Sequence, residues 1–332
     1  FIEGHRREFL QQLMSTRLNR HRRFGMHSYQ LEPHIKESRG GFRDIHAMHW
    51  AAKAVFGLQE LDDIEGAALI NREERRKFEK SWTEIIRIRN RLHFLSGRKN
   101  DQLYFEHQEE IARALGYKDT SGRLGVEQFM QELYSHLQYI AVITDMFFEH
   151  VDEKVFPVKD AGSGKANEAG IEIRNKRIRL TDPQTIDKKP ALLMKIFTEA
   201  ARTGLPVHYR TRKTITAKLP CIDDKIRSSK IMARAFLETL QHDIDPMPVL
   251  ATMLETGLLT AYIPEFRHIE SLAQHDLYHI YTVDRHLLQT VTELKYLKPE
   301  HPDLFARLES PHILYIVALL HDVGKGYGGN HS

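Results

Sequence analysis

The apolar residues between Val126 and Phe147 set the tightest limit on what this chain can become. Val126, Phe129, Met130, Leu133, Leu137, Ile140, Thr144 and Phe147 follow the three-and-four spacing of one helical face. That pattern predicts a helix of about seven turns with its stripe in a core. Phe78, Trp82, Ile85, Ile86, Leu92 and Leu95 repeat the pattern upstream, and Phe9, Leu10, Leu13, Met14 and Leu18 do so in a basic helix over residues 1 to 25. Residues 60 to 155 therefore read as a helical bundle. Strand-like alternation occurs in one place, Ile171 to Leu180 around Asn175-Lys176, and predicts a short β-hairpin. Helical patterning resumes from Lys189, with Pro190 leading into Leu192 to Phe197, then Met232 to Leu240, then Val249 to Leu259 closed by Gly257. The expected fold class is mainly α, with one hairpin between two helical regions.

Composition narrows the setting. A hydrophobic content of 41% over 332 residues is enough for two or three packed domains. The single cysteine, Cys221, excludes an internal disulfide and fits a reducing cytoplasm. No apolar run reaches the roughly 18 residues of a membrane span. A net charge of +3 is too mild to argue for nucleic acid. Arg6, Arg7, Arg17, Arg20, Arg22 and Arg23 do cluster early. They could face a polyphosphate or an acidic protein, although a solvated helix face is the commoner arrangement. The start, FIEGHRREFL, reads as the middle of a helix, so the chain is expected to be a piece of a longer protein that continues at both ends. Residues 157 to 170 read as a linker. The Gly-Ser-Gly-Lys inside them lacks the Ser or Thr and the first Gly of a P-loop.

Two stretches carry chemistry. The first is Glu32 to Ile45, with Lys36, Arg39, Gly40, Gly41 and Arg43 just ahead of an amphipathic helix through Ile45, Met48, Trp50, Ala51, Val55 and Phe56. A glycine turn feeding a helix can offer N–H groups to an anion, with the basic side chains around it. By spacing alone the stretch reads as a structural turn. The second lies at the C-terminal end. The run Ile313 to Leu320 predicts a buried helix that breaks into His321-Asp322-Val323-Gly324-Lys325. An imidazole and a carboxylate at the end of such a helix call for a partner, and a divalent cation suits both. Upstream, His275, His279 and His286 are spaced four and seven apart, on one helical face. His286 could meet His321-Asp322 across two helices, and His331 could fold back on the same place.

The C-terminal combination resembles the HD phosphohydrolase superfamily, in which a His, a His-Asp pair and a distant Asp hold a divalent metal. The resemblance implies that His286, His321 and Asp322 are ligands, with the distant Asp expected beyond Ser332. EPHIKESRGGFRDIHAMHWAAKAVFG is similar to the segment after the nucleotidyltransferase core of the PII uridylyltransferase/uridylyl-removing enzymes, and glutamine synthetase adenylyltransferases have a comparable stretch. Asn100 to Leu103 and Phe105 to Gln108 resemble the helical domain of the same family. There the only role the residues suggest is Asp101 as a helix cap.

The resemblance implies a definite layout. Residues 1–35 would end the nucleotidyltransferase domain or link to it, and 36–156 would form the associated helical domain. A linker and hairpin would fill 157–188, and 189–332 a truncated HD-type helical domain. It also implies two activities: uridylylation of the PII signal protein with UTP, and hydrolytic removal of UMP. Lys36, Arg39, Gly40, Gly41 and Arg43 would contact the nucleotide. A divalent metal, magnesium or manganese, would sit on His286, His321 and Asp322, with His279 as a further ligand or proton carrier. Lys325 and His331 would act on the phosphate or the proton. Glutamine would be the effector of the whole enzyme, through domains outside this sequence. Three other readings stay open: an HD hydrolase of free nucleotides, a relative of tRNA nucleotidyltransferases, and a non-catalytic scaffold that binds PII.

Overall fold

The computed structural model describes residues 2–24, 30–58, 61–66, 69–157, 164, 166, 168–242, 244–274 and 281–327. Among them the chain is mainly helical, with a single two-stranded sheet. The N-terminal region contains α1 (Ile2–Phe24), α2 (Phe42–Phe56), α3 (Leu61–Gly66), α4 (Arg72–Ser96), α5 (Phe105–Ala114) and α6 (Gly125–Val155). The hairpin follows as β1 (Ile171–Arg174) and β2 (Arg177–Leu180). Next come α7 (Thr185–Lys188), α8 (Leu192–Thr203), α9 (Tyr209–Lys218), α10 (Asp224–Arg227), α11 (Lys230–Gln241) and α12 (Met247–Glu255). The last elements are α13 (Leu258–Tyr262), α14 (Phe266–Ile269), α15 (Val283–Glu300), α16 (Pro302–Ala306) and α17 (His312–Leu320).

Two apolar clusters form. The first gathers buried residues from Leu10 to Val151, the second from Ile171 to Leu319. The long helix α6 is the spine of the first. Phe129, Leu133, Leu137 and Ile140 on its stripe are fully buried. Each fully buried side chain of this kind contributes roughly 1.5–3 kcal/mol, so this face alone justifies the helix. At α4, Asn71 caps Glu74 N–H while the Glu74 carboxylate accepts from Asn71 N–H, which fixes the start of the helix. The hairpin pairs Ile171 with Leu180 and Arg174 with Arg177. Asn175 and Lys176 both have left-handed φ, 52° and 55°, as a tight two-residue turn requires.

Polar ties join the two clusters, and most come from α6. Glu149 pairs with Arg177 and Arg212 and accepts from Tyr209 N–H. Glu153 pairs with Arg179 and His208. Gln131 donates to the Glu270 carbonyl, and Ser271 Oγ lies 3.4 Å from Gln138 Oε1.

Several expectations change. Trp50 is half exposed, so it lies off the core face of α2. Arg17 and Arg20 of the early basic cluster are not solvated. They turn inward to the buried Asp44, and Arg17 also reaches Asp145. Asp101 does not cap α5, whose preceding residue Tyr104 makes no side-chain cap. Asp101 instead binds Arg89 and His93 of α4. The segment Val249 to Leu259 is two helices, because Gly257 takes φ +78° between α12 and α13. The helix ending at Leu320 is buried on one face only. Tyr315, Ala318 and Leu319 face α11 and α15, while Ile313 and Val317 are 53% and 54% exposed. Most of the expected linker 157–170 lies outside the described residues.

Candidate metal centre and nucleotide turn

The start of α15 is built around Asp284. This carboxylate is fully buried and accepts hydrogen bonds from Ser271 N–H and Arg285 N–H, each at 2.9 Å. Burial raises its pKa, against the opposing charge of Arg285 and these hydrogen bonds. Asp284 thus ties α15 to the loop after α14 and sets where the next turn, with His286, points. The opposite side comes from α17. Its last turn runs directly into His321 and Asp322, and His321 N–H still bonds the Val317 carbonyl at 2.9 Å.

These elements bring His286, His321 and Asp322 together, with one ligand atom of each within 4.8 Å of the others. Asp322 Oδ2 lies 3.6 Å from His321 Nε2 and 3.9 Å from His286 Nε2. The two imidazoles meet edge to face at 5.3 Å between centroids. His321 Nδ1 lies 3.0 Å from the Ala318 carbonyl. That contact requires the proton on Nδ1 and leaves the Nε2 lone pair facing the carboxylate, the arrangement metal-binding histidines use. Lys325 Nζ is 2.8 Å from Asp322 Oδ2 and 3.0 Å from Gln274 Oε1. Burial works against the Asp322 charge, but the hydrogen bond and charge of Lys325, then His321 and His286, hold its pKa below the ordinary value. The donor set, two imidazoles and one carboxylate on a partly exposed face, fits a divalent metal. His279 and His331 lie outside the described residues.

After Asp322 the chain makes a 3-10 turn, Val323–Tyr327, that packs on α14. Gly326 permits this: a Cβ there would stand 2.5 Å from His268 Cβ. Gly324 has open space around it.

The second predicted site is a turn pressed against α6. Gly40 has φ +82°, and a Cβ on it would fall 1.9 Å from the Leu137 carbonyl oxygen. Its N–H donates to Asp44 Oδ2 at 2.7 Å. Gly41 N–H donates to the Ser38 carbonyl, Phe42 N–H to Ile35, and Arg43 N–H to Lys36. The N–H groups of Gly40 to Arg43 are thus taken up inside the protein, that of Gly40 by Asp44 and the others by backbone carbonyls, so these positions offer no cradle of free N–H groups. Arg39 binds Asp145 through Nε and Nη2, at 3.1 and 2.7 Å, and reaches Glu255. Lys36 and Arg43 are the partly exposed cations, each loosely paired with Glu37 at 3.8 and 3.6 Å. Asp44, Asp145, Glu255, Arg285 and Gln274 had no role in the sequence reading. The hydrophobic pattern cannot mark them, since their partners lie on distant segments.

Two family models match parts of the chain, both ahead of the His286, His321 and Asp322 grouping. A family model described as GlnD PII-uridylyltransferase matches residues 8–148, and one described as the uridylyltransferase GlnD third domain matches residues 171–262. The chain is similar along nearly its whole length to proteins named bifunctional uridylyltransferase/uridylyl-removing enzyme. With that of Ruegeria pomeroyi the identity is 32%, over 98% of this chain and 37% of the relative. With that of Cereibacter sphaeroides it is 33%, over 98% and 36%. With that of Azotobacter vinelandii it is 34%, over 94% and 36%. The chain thus spans little more than a third of the length of these relatives. No solved structure matches it.

Proposed function

The chain belongs to the GlnD PII-uridylyltransferase family, and from that premise we propose that it carries the uridylyl-removing centre and one face of the transferase site. In this reading residues 1–35 follow a nucleotidyltransferase domain and 36–156 form its helical companion. Residues 157–188 link the two halves, and 189–332 begin the HD-type hydrolase. The substrates are UTP and the PII signal protein in one direction and uridylyl-PII in the other, with UMP released and glutamine as effector of the whole enzyme.

The observation that carries the proposal is the convergence of His286, His321 and Asp322 from separate helices. A divalent metal held by them would lower the pKa of a bound water and supply hydroxide for hydrolysis of a phosphodiester. Two imidazoles beside one carboxylate favour manganese over magnesium. The residues themselves do the rest. Ala318 orients His321, Lys325 brings a positive charge beside the site for the phosphate, and Gln274 steadies Lys325. The imidazole side chains are 39% and 36% exposed, so a nucleotide on a protein surface can reach them. His279 and His331 remain proposals for a second ligand set or proton transfer. On the transferase side, Lys36 and Arg43 are proposed to face the nucleotide, while Arg39, Gly40 and Gly41 hold the turn in shape.

His321→Ala or Asp322→Ala in the full-length protein is expected to cut release of UMP from uridylyl-PII by more than about 100-fold while transfer from UTP persists. Normal removal by both variants would end the metal assignment.

A further inference from the structure

The carboxylate of Glu255, the last residue of α12, stands between the two candidate sites. Arg39, from the Gly-Gly turn, brings Nη2 to 3.5 Å of Glu255 Oε1. Arg285, from the first turn of α15, brings its own Nη2 to 3.5 Å of the same oxygen. The side chains of Arg39, Glu255 and Arg285 are 15%, 12% and 6% exposed. The line extends on both sides. Arg39 is bound to Asp145, which also holds Arg17, and Arg17 holds Asp44 beneath the glycine turn. Beyond Arg285 the next residue is His286, a member of the metal cluster. Charges this deep are maintained only as pairs, because losing one partner strands the other in a poorly solvated place.

We infer that Glu255 is a positioning residue for both sites. One carboxylate oxygen, shared by an arginine from each, fixes the glycine turn and the start of α15 relative to one another. The bridge also has room to shift. Glu255 lines a cavity of about 670 Å³ between the two clusters, together with Lys77, Tyr139, Lys213 and Glu270. The two 3.5 Å contacts are long for ion pairs, whereas Arg39 to Asp145 is short and doubled. Glu255 is therefore the adjustable joint in the line, and the glycine turn and the start of α15 are coupled through its one shared oxygen. The meaning of His286 rests on the metal reading above, but the mechanical link does not.

Amide hydrogen exchange followed by mass spectrometry tests the link without reference to activity. The full chain is compared with Arg39→Gln, Glu255→Gln and the double variant. Arg39→Gln is expected to speed exchange in residues 283–290 about fivefold, with the hairpin at 171–180 unchanged. Glu255→Gln is expected to speed exchange in both 35–45 and 283–290, and adding Arg39→Gln to it should move 283–290 no further. Unchanged exchange at 283–290 in Arg39→Gln, or an equal increment with and without Glu255, would overturn the inference. Should Glu255→Gln fail to fold, Arg39→Lys reads the same segment, since it keeps the charge and loses the doubled contact. Titration with manganese chloride by calorimetry supplies a separate arm. Wild-type chain that takes up no manganese counts against the metal reading alone. Manganese binding that weakens several-fold in Arg39→Gln, but not further in the double variant, supports the link.

Discussion

His208 shows how one residue can be tuned by the groups around it. It caps α9, its Nδ1 accepting from Arg210 N–H at 3.3 Å while Nε2 lies 2.7 Å from Glu153 Oε1. Both contacts suit the neutral ring with its proton on Nε2; a proton on Nδ1 would break the cap. Burial, then the nearby charge of Arg179, pushes its pKa down to about 4, despite Glu153. A depressed histidine favours the folded state fully above its unfolded value near 6.5. As the pH falls from there towards 4 the unfolded chain binds the proton first, so stability declines. Chemical denaturation between pH 7 and 4 should show this loss, reduced in His208→Asn, and the His208 ring resonances should titrate near pH 4. A normal histidine titration near 6.5 would contradict the environment described. At the same scale, His321-Asp322 stood out in the sequence because the pair closes an apolar run, and the structure brings both near His286. Arg17, Asp145 and Glu255 were not legible, because an ion pair has no period and its partners are far away in the chain.

At the level of elements, helices and hairpin were readable because each obeys a spacing rule. α6 announces itself by its stripe and the hairpin by alternation around Asn175-Lys176. The rule fails where packing decides. The apolar content of α17 implied burial on every side, yet the helix meets neighbours on one face only. The 3-10 turn after Asp322 offers a test of what holds Asp322 beside His286 and His321, the proposed metal ligands. Gly326→Ala places a methyl group against His268, both its side chain and its backbone, and must push the turn off α14. Gly324→Ala meets nothing. Gly326→Ala is expected to weaken manganese binding at least about tenfold in calorimetry, an effect of the size seen when supporting contacts around a metal are lost. Gly324→Ala should bind as wild type. Equal behaviour of the two would mean that the turn does not position Asp322.

Across the whole molecule, two apolar clusters are joined by a boundary rich in ion pairs. Glu149 is the densest point, with Arg177, Arg212 and Tyr209 N–H all on one side chain that is 9% exposed. Its single negative charge is shared between two arginines from the second half. Glu149→Gln leaves a positive excess there, and the cost falls on the boundary rather than on either core. Scanning calorimetry is expected to show the unfolding transition of the chain broaden or divide in two in this variant. A single transition of unchanged shape, merely shifted, would mean that the halves are not held together through this point.

The reach of α6 has a consequence for how the gene can vary. Over its 31 residues, about 46 Å, the helix carries Tyr134 and Tyr139 for the first half, Asp145 for the buried line, and Glu149 and Glu153 for the second. One added or deleted codon between Gln138 and Glu149 would turn everything downstream by about 100° about the helix axis. Every tie to the hairpin and to α9 would then point away from its partner. Substitutions on this helix away from those ties and from its buried stripe can be absorbed one at a time; changes of length cannot. Related genes should therefore vary in spelling at the untied positions here while keeping the count of codons fixed.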